Sequence, residues 1–177
     1  MAFTEPKKTP DGRYYVKALE PRLVQLNRVT LLSKYSDSES VTIGLSENHQ
    51  EKISAIDNEN IAAAKQNTEA WFQRVVAEKT LEAAYTKSFS DGVMNVSKAK
   101  QAKVFTDKKP VDGSELNEST VGDVVLEFSG ITFTKTKFSP VWKLIQTRTV
   151  TPPKKKYDEY LFQDEEPVQE SSDEEFA

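Results

Sequence analysis

The stretch VGDVVLEFSGITFTKTKFSPVWKLIQTRTV, residues 121–150, decides the fold. Val124, Leu126 and Phe128 recur at every second position near its start. A strand with one face on a core and the other in solvent produces this alternation. Gly130 interrupts the pattern, and a glycine inside a strand is typical of a bulge. The stretch therefore predicts a strand–turn–strand unit with one buried face.

The second half of this stretch mixes positive charges with aromatic rings and contains no acid. Its cations and rings are Phe133, Lys135, Lys137, Phe138, Trp142, Lys143 and Arg148. Single-stranded nucleic acid is bound by such residues, because cations follow its backbone and rings stack on its exposed bases. Trp142 alternates with Leu144, as a tryptophan in the core would. The pattern predicts that the cations bind nucleic acid, and it leaves Phe133, Phe138 and Trp142 open between core and stacking.

Two further strands are predicted near the start of the chain. Apolar residues recur from Tyr14 to Leu32 often enough to indicate a long strand, interrupted near Pro21. Residues 36–40 form a polar turn, and residues 41–45 alternate again. We expect this second strand to pair antiparallel with the first.

Helical spacing replaces the alternation after Asp57-Asn58, either of which is a good helix cap. Residues 58–89 carry apolar side chains three and four positions apart, which predicts the main helical region, broken near Asn67 or Thr80. Aromatic residues at this spacing beside valines are more often core than base-binding. We assign two of them to the core: Trp71 and Phe72.

Lysines crowd the segment that follows this helical region. Ser90-Asp91-Gly92 predicts a turn, and residues 93–96 predict a short strand leading into SKAKQAKVF. The lysines of this connection are Lys98, Lys100 and Lys103. They either contact phosphates or form a solvated surface run. Residues 106–120 lack periodicity, so we predict a loop there.

Three regions follow from these patterns. Residues 1–13 offer little to bury and are predicted to be a flexible arm. Residues 14–151 form the folded, nucleic-acid-binding domain. Residues 152–177 begin with Pro152-Pro153 and three lysines, then turn acidic, and are predicted to be a linker and a disordered tail.

The net charge of −4 conceals an asymmetry. Nine of the 28 acidic residues lie in residues 158–177, which contain no lysine or arginine. The other 19 acids face 24 basic residues, so residues 1–157 carry a formal charge of +5. A basic body joined to an acidic tail points to a polyanionic partner with an intramolecular competitor.

Several functional classes lack support in the sequence. The chain has no cysteine and one histidine, His49, which we interpret as a surface loop residue. The six glycines form no nucleotide-binding motif, and no carboxylate pair has an evident acid–base setting. We expect neither a signal peptide nor a membrane span, because residues 1–13 contain no apolar run after their charges and no stretch of 18 residues is apolar. We therefore predict a non-enzymatic protein of a reducing, intracellular compartment, with no cofactor and no metal.

Two segments resemble single-stranded-DNA-binding proteins. The tail DEEPVQESSDEEFA resembles the acidic C-terminal tails of bacterial and phage proteins of this class, although Ala177 here follows the closing aromatic residue, Phe176. The pattern LEFSGITFTKTKFSPVWKLIQTRTV, after the helix with AWFQRVV, is similar to the single-stranded-DNA-binding proteins of large eukaryotic DNA viruses, especially algal ones. The resemblance implies an OB-fold, a five-stranded Greek-key barrel, here embellished with a longer helical region.

The same resemblance implies a role in DNA replication, recombination or repair, in the cytoplasm or nucleus of an infected host cell. The tail would recruit replication proteins through Asp173, Glu174, Glu175 and Phe176. RNA as a second ligand and homo-oligomerisation stay open. The alternative is a virion or scaffold protein whose acidic tail binds a basic partner. A magnesium-dependent nuclease is the third hypothesis, and no motif supports it.

Overall fold

The computed structural model describes residues 2–150 and 162–163, in which strands predominate. The strands are β1 (Lys7–Lys8), β2 (Tyr14–Leu31), β3 (Ser40–Gly44), β4 (Val93–Thr106), β5 (Lys109–Val111), β6 (Val121–Phe133) and β7 (Phe138–Thr149). The helices are α1 (Glu47–Gln66), α2 (Thr68–Phe72) and α3 (Glu78–Ala84). The mainly β class with one helical region is therefore confirmed. No helix within these residues is long and apolar enough to cross a membrane.

Five strands pair in a closed circuit. Strand β2 pairs with β3, β3 with β4, β4 with β7 and β7 with β6, and β6 pairs back onto β2. All of these pairings are antiparallel except β4–β7, which is parallel. The short strand β1 pairs antiparallel with β2, and the short strand β5 pairs antiparallel with β4. The predicted antiparallel pairing of the first two strands is confirmed.

The core lies on the inner face of this circuit. Val124, Leu126, Phe128 and Leu144 are at most 1% exposed, as their alternation predicts. The same period places Val16, Ala18 and Leu26 of β2 in the core, because successive strand side chains point to opposite faces. Trp71 and Phe72 are partly buried against this core, in agreement with the prediction for them.

Both predicted irregularities in the strands are present. The β2–β6 register shifts between Lys17 and Arg22, around Pro21, and the β6–β7 register shifts between Phe128 and Gly130. At Gly130 a Cβ atom would lie 2.2 Å from the carbonyl oxygen of Val16. Only glycine therefore allows β2 and β6 to approach this closely here.

The predicted start of the helical region is wrong by eleven residues. Helix α1 begins at Glu47, with Ser46 as its N-cap, and Asp57 lies inside it, buried. His49 is not a surface loop residue, because it is 7% exposed and completes a capping box. Its Nδ1 accepts from the Ser46 N–H at 3.0 Å, and its Nε2 lies 2.6 Å from the Asn27 carbonyl oxygen. The break predicted near Asn67 is present as the end of α1.

Replacing His49 with alanine is expected to lower the free energy of unfolding by about 1–2 kcal/mol, because a helix cap and a buried hydrogen bond to Asn27 are lost together. Urea denaturation measures this change. The matched control is Asn48→Ala, one position earlier and exposed. Equal stability of the two variants would contradict the capping role.

Two segments are more ordered than the sequence predicts. Residues 2–13 are not a loose arm, because β1 pairs with β2 and the Phe3 ring packs on Trp71 and Phe128. Residues 106–120 contain a tight turn at Asp107 and Lys108, where φ is +50° and +67°, followed by β5. Positive φ at both central residues is the geometry of a two-residue hairpin turn.

Candidate nucleic-acid interface

Three exposed lysines lie on the neighbouring strands β4 and β7, and we call them the lysine strip: Lys100, Lys103 and Lys143. Ser97 is the partner of Lys143, and Lys103 is the partner of Gln146. Lys143 and the partner of Lys103 are three residues apart on β7, and Lys100 lies within the register shift between Lys98 and Lys103. The residues that follow Lys103 and Lys143, Val104 and Leu144, are buried, so these two lysines lie on the solvent side of the strands.

The charges of the lysine strip are free to meet a ligand. None of the three ammonium groups has an ion pair or hydrogen bond within residues 2–150. Glu127 of β6 is the cross-strand partner of Lys143, and its carboxylate accepts a hydrogen bond from Ser129 Oγ at 3.0 Å. The strip therefore offers positive charge on two neighbouring strands, and Glu127 is the acid opposite Lys143.

Lys98 does not share the environment of Lys100. Its Nζ donates to the Tyr35 carbonyl oxygen at 2.6 Å and lies 4.6 Å from the centre of the Tyr35 ring. The β4–β7 register shifts between Lys98 and Lys103, so strict alternation does not hold there. Lys98 is half-buried and Lys100 is exposed, so the two lysines differ although an extended segment would put them on one face. Lys98 ties β4 to the loop that contains Tyr35.

Arg148 lies beyond the strip and is already paired. Its Nε donates to Asp123 Oδ2 at 2.6 Å, and the Arg28 backbone N–H donates to Asp123 Oδ1 at 2.9 Å. Partial burial raises the pKa of Asp123, but these hydrogen bonds and the two arginine charges outweigh it and hold the pKa below its usual value. The carboxylate stays ionised and neutralises much of the Arg148 charge, so Arg148 is a weaker candidate than the strip lysines.

Lys135 and Lys137 are exposed in the turn between β6 and β7. Thr134 closes this turn, since its N–H and its hydroxyl both donate to the Lys137 carbonyl oxygen, at 2.8 and 3.1 Å. The two lysines are thus held at one end of the β6–β7 hairpin. Lys143 lies five residues after the start of β7, so the turn and the strip are separate basic regions of one strand pair.

The three candidate stacking rings are in the core. Phe133, Phe138 and Trp142 are 6%, 1% and 4% exposed. Phe133 and Phe138 stack on each other with centroids 5.8 Å apart, and Trp142 Nε1 donates to Ser88 Oγ at 2.8 Å. Burial thus decides in favour of the core alternative, because a covered ring has no face for a base.

One further basic residue escaped the sequence analysis. Lys108 lines a groove of about 680 Å³ with Phe105, Gln146 and Arg148, at the end of the strip. Its segment, TDKKP, was assigned to a loop. The two-residue turn at Asp107 and Lys108 instead folds β5 back beside β4. The sequence feature that could have indicated this basic turn is the pair of lysines directly after Asp107.

The remaining predictions concern the acidic tail and metal binding. Asp173, Glu174, Glu175 and Phe176 of the tail fall outside the described residues. Among residues 2–150 and 162–163, no group of three or more histidine, cysteine, aspartate or glutamate side chains is placed to hold a metal ion.

Comparison with protein families finds one match. The model described as "Family of unknown function (DUF5871)" matches residues 27–164, which include β3 through β7 and the last five residues of β2. No curated protein sequence matches the chain.

Similar folds occur among solved structures of a phage protein. The single-stranded DNA-binding protein from bacteriophage Enc34 is 15% identical to this chain, with a TM-score of 0.50 over 98% of this chain and 99% of that one. Its C-terminal truncation is also 15% identical, with a TM-score of 0.51 over 86% and 95% of the two chains. The likeness shows a shared fold. It agrees in fold with the resemblance to single-stranded-DNA-binding proteins and gives no support to the narrower link to algal viruses.

Proposed function

We propose that this chain, which belongs to the DUF5871 family of unknown function, is a non-enzymatic protein that binds single-stranded DNA without sequence preference. The observation that carries the proposal is the lysine strip, three exposed cations on the paired strands β4 and β7 without an ion pair within residues 2–150. Such cations bind the phosphates of a flexible strand and ignore its base sequence.

The strand circuit supports an OB-fold as the scaffold. We interpret β2, β3, β4, β6 and β7 as the five strands of a Greek-key barrel, with α1–α3 as an enlarged helical connection. OB-folds bind oligonucleotides on the face of their second and third strands and with the loop between the fourth and fifth. Here those elements are β3 and β4, which carry Lys100 and Lys103, and the turn with Lys135 and Lys137. The phage proteins of similar fold are single-stranded-DNA-binding proteins by name.

The acidic tail adds regulation to this proposal. Nine negative charges in residues 158–177, attached to a body of +5, compete with DNA phosphates for the same cations. DNA displaces the tail from the basic surface directly. A replication protein displaces it by binding Asp173–Phe176. Such a cycle suits a protein that protects single strands during replication, recombination or repair.

Fluorescence anisotropy with labelled oligo-dT tests the proposal. The full chain is expected to bind with an affinity that falls as salt rises, and deletion of residues 158–177 is expected to strengthen binding several-fold at low salt, because the competing anion is gone. An unchanged affinity after deletion would rule out tail competition while leaving DNA binding intact. Absence of binding at low salt would favour the alternative, a structural protein whose tail binds a basic partner.

A further inference from the structure

We infer that a cleft beside the N-terminal strands holds one unpaired base of the DNA strand, with its phosphate. The inference rests on the proposed function and adds a second contact region to it. The cleft measures about 930 Å³ and lies between the β1–β2 hairpin, the end of α2 and the end of β6. The sequence did not indicate this site, because residues 1–13 were predicted to be a flexible arm.

Aromatic rings form the wall of the cleft. Tyr14, at the start of β2, is 46% exposed, and the partly buried Trp71 and Phe72 of α2 line the cleft, whereas the Phe133 ring at its base is covered and only supports them. Trp71 meets Phe133 edge to face at 5.6 Å and Phe3 at 5.2 Å. These contacts hold the indole in place before any ligand arrives. A base entering the cleft therefore meets a preformed aromatic surface, and base–aromatic stacking tolerates every base.

The rim of the cleft carries a surplus of positive charge. Lys8, Arg13 and Lys135 line it, against the acids Glu5 and Asp11. Asp11 is occupied within the hairpin turn, since it accepts from the Thr9 hydroxyl and from the Arg13 N–H, and these hydrogen bonds lower its pKa. Lys8 and Lys135 have no ion pair within residues 2–150. A phosphate therefore finds two free ammonium groups beside the rings.

The cleft and the lysine strip lie along one strand pair. Phe133 at the cleft is the cross-strand partner of Phe138, and Lys143 follows Phe138 by five residues on β7. At about 3.3 Å per residue, the two regions are separated by roughly 17 Å along the strand. One oligonucleotide can reach both, passing Lys135 and Lys137 in the turn.

Tryptophan fluorescence tests the inference, because the chain has two tryptophans, Trp71 and Trp142. In the Trp142→Phe variant, Trp71 is the sole reporter. Unlabelled oligo-dT is expected to quench its fluorescence with the same midpoint that labelled oligo-dT shows by anisotropy. The Trp71→Phe variant is the matched control, and its buried Trp142 is expected to respond weakly. Thymidine monophosphate at the same nucleotide concentration is expected to quench less, because it cannot also bind the strip.

A second variant separates stacking from a remote conformational effect. Tyr14→Ala is expected to weaken oligo-dT binding about 5- to 100-fold if the base stacks there. The control Lys79→Ala, an exposed residue of α3 outside the cleft, is expected to change affinity less than twofold. Binding by anisotropy with no quenching of Trp71 and no loss in Tyr14→Ala overturns the inference and leaves the proposed function standing. Absence of anisotropy change overturns both.

Discussion

Simultaneous replacement of Lys100, Lys103 and Lys143 by alanine is expected to weaken oligo-dT binding about 10- to 100-fold at low salt, since each exposed ionic contact contributes up to about 1 kcal/mol. The slope of log affinity against log salt is expected to become shallower by about 2, because each contacted phosphate of a single strand contributes about 0.7. Anisotropy titrations at four or more salt concentrations measure both quantities. The three side chains are exposed, so the variant is expected to keep the stability of the parent chain.

The control for this prediction removes charge elsewhere. Lys52 of α1 and Lys79 of α3 are exposed, and their replacement by alanine takes two positive charges from the helical side of the molecule. If the strip contacts phosphates, the slope change per charge removed is larger for the strip than for the helices. Equal changes per charge would show that DNA responds only to the overall +5 of the body, and the strip would lose its special role.

Lys98→Ala is a useful contrast within the same strand. Lys98 donates to the Tyr35 carbonyl and lies over the Tyr35 ring, so its loss affects packing more than phosphate binding. Sequence alone gave Lys98 and Lys100 the same status, because they are two residues apart in the segment after the predicted strand and would share one face if that segment is extended. The register shift between Lys98 and Lys103 separates them, and it depends on how β7 lies beside β4. Local alternation carries no information about such a shift.

The strands themselves were predictable because burial on one face imposes a period of two. Val124, Leu126 and Phe128 reveal β6 in this way, and Pro21 and Gly130 mark breaks through their backbone chemistry. The start of α1 was missed because its cap involves His49, a residue seldom found in a capping box, whose other nitrogen faces the Asn27 carbonyl. That partner lies 22 residues away in the chain.

The aromatic residues also depend on contacts between distant segments, which the sequence does not reveal. Phe133, Phe138 and Trp142 have the composition of a base-binding surface, and the sequence left them undecided. Their burial arises because α2 and α3 fold against the β6–β7 hairpin, with Phe72 against Phe133 and Tyr85 against Phe138. The placement of these helices depends on contacts between distant segments, including a buried aspartate that sequence analysis took for a helix cap.

Replacing this aspartate, Asp57, with alanine is expected to lower the free energy of unfolding by about 3–5 kcal/mol, because several buried donors lose their acceptor at once. Asp57 is 4% exposed and accepts from the Tyr85 hydroxyl, from Ser88 Oγ at 2.6 Å and from the Ser88 N–H at 3.1 Å. Burial and the nearby Asp57 charge raise the pKa of Tyr85, so its hydroxyl stays protonated as a donor. Urea denaturation of the full chain measures the loss.

Two variants show whether this loss comes from the hydrogen bonds. Asp57→Asn keeps one acceptor oxygen and nearly the same volume, so its loss is expected to be smaller than that of Asp57→Ala. Asn58→Ala changes the adjacent, exposed position of α1 and is expected to cost less than about 0.5 kcal/mol. If Asp57→Ala is as stable as Asn58→Ala, the network does not hold the helices. Ser88 Oγ also accepts from Trp142 Nε1, so this network connects α1 with the strand that carries Lys143.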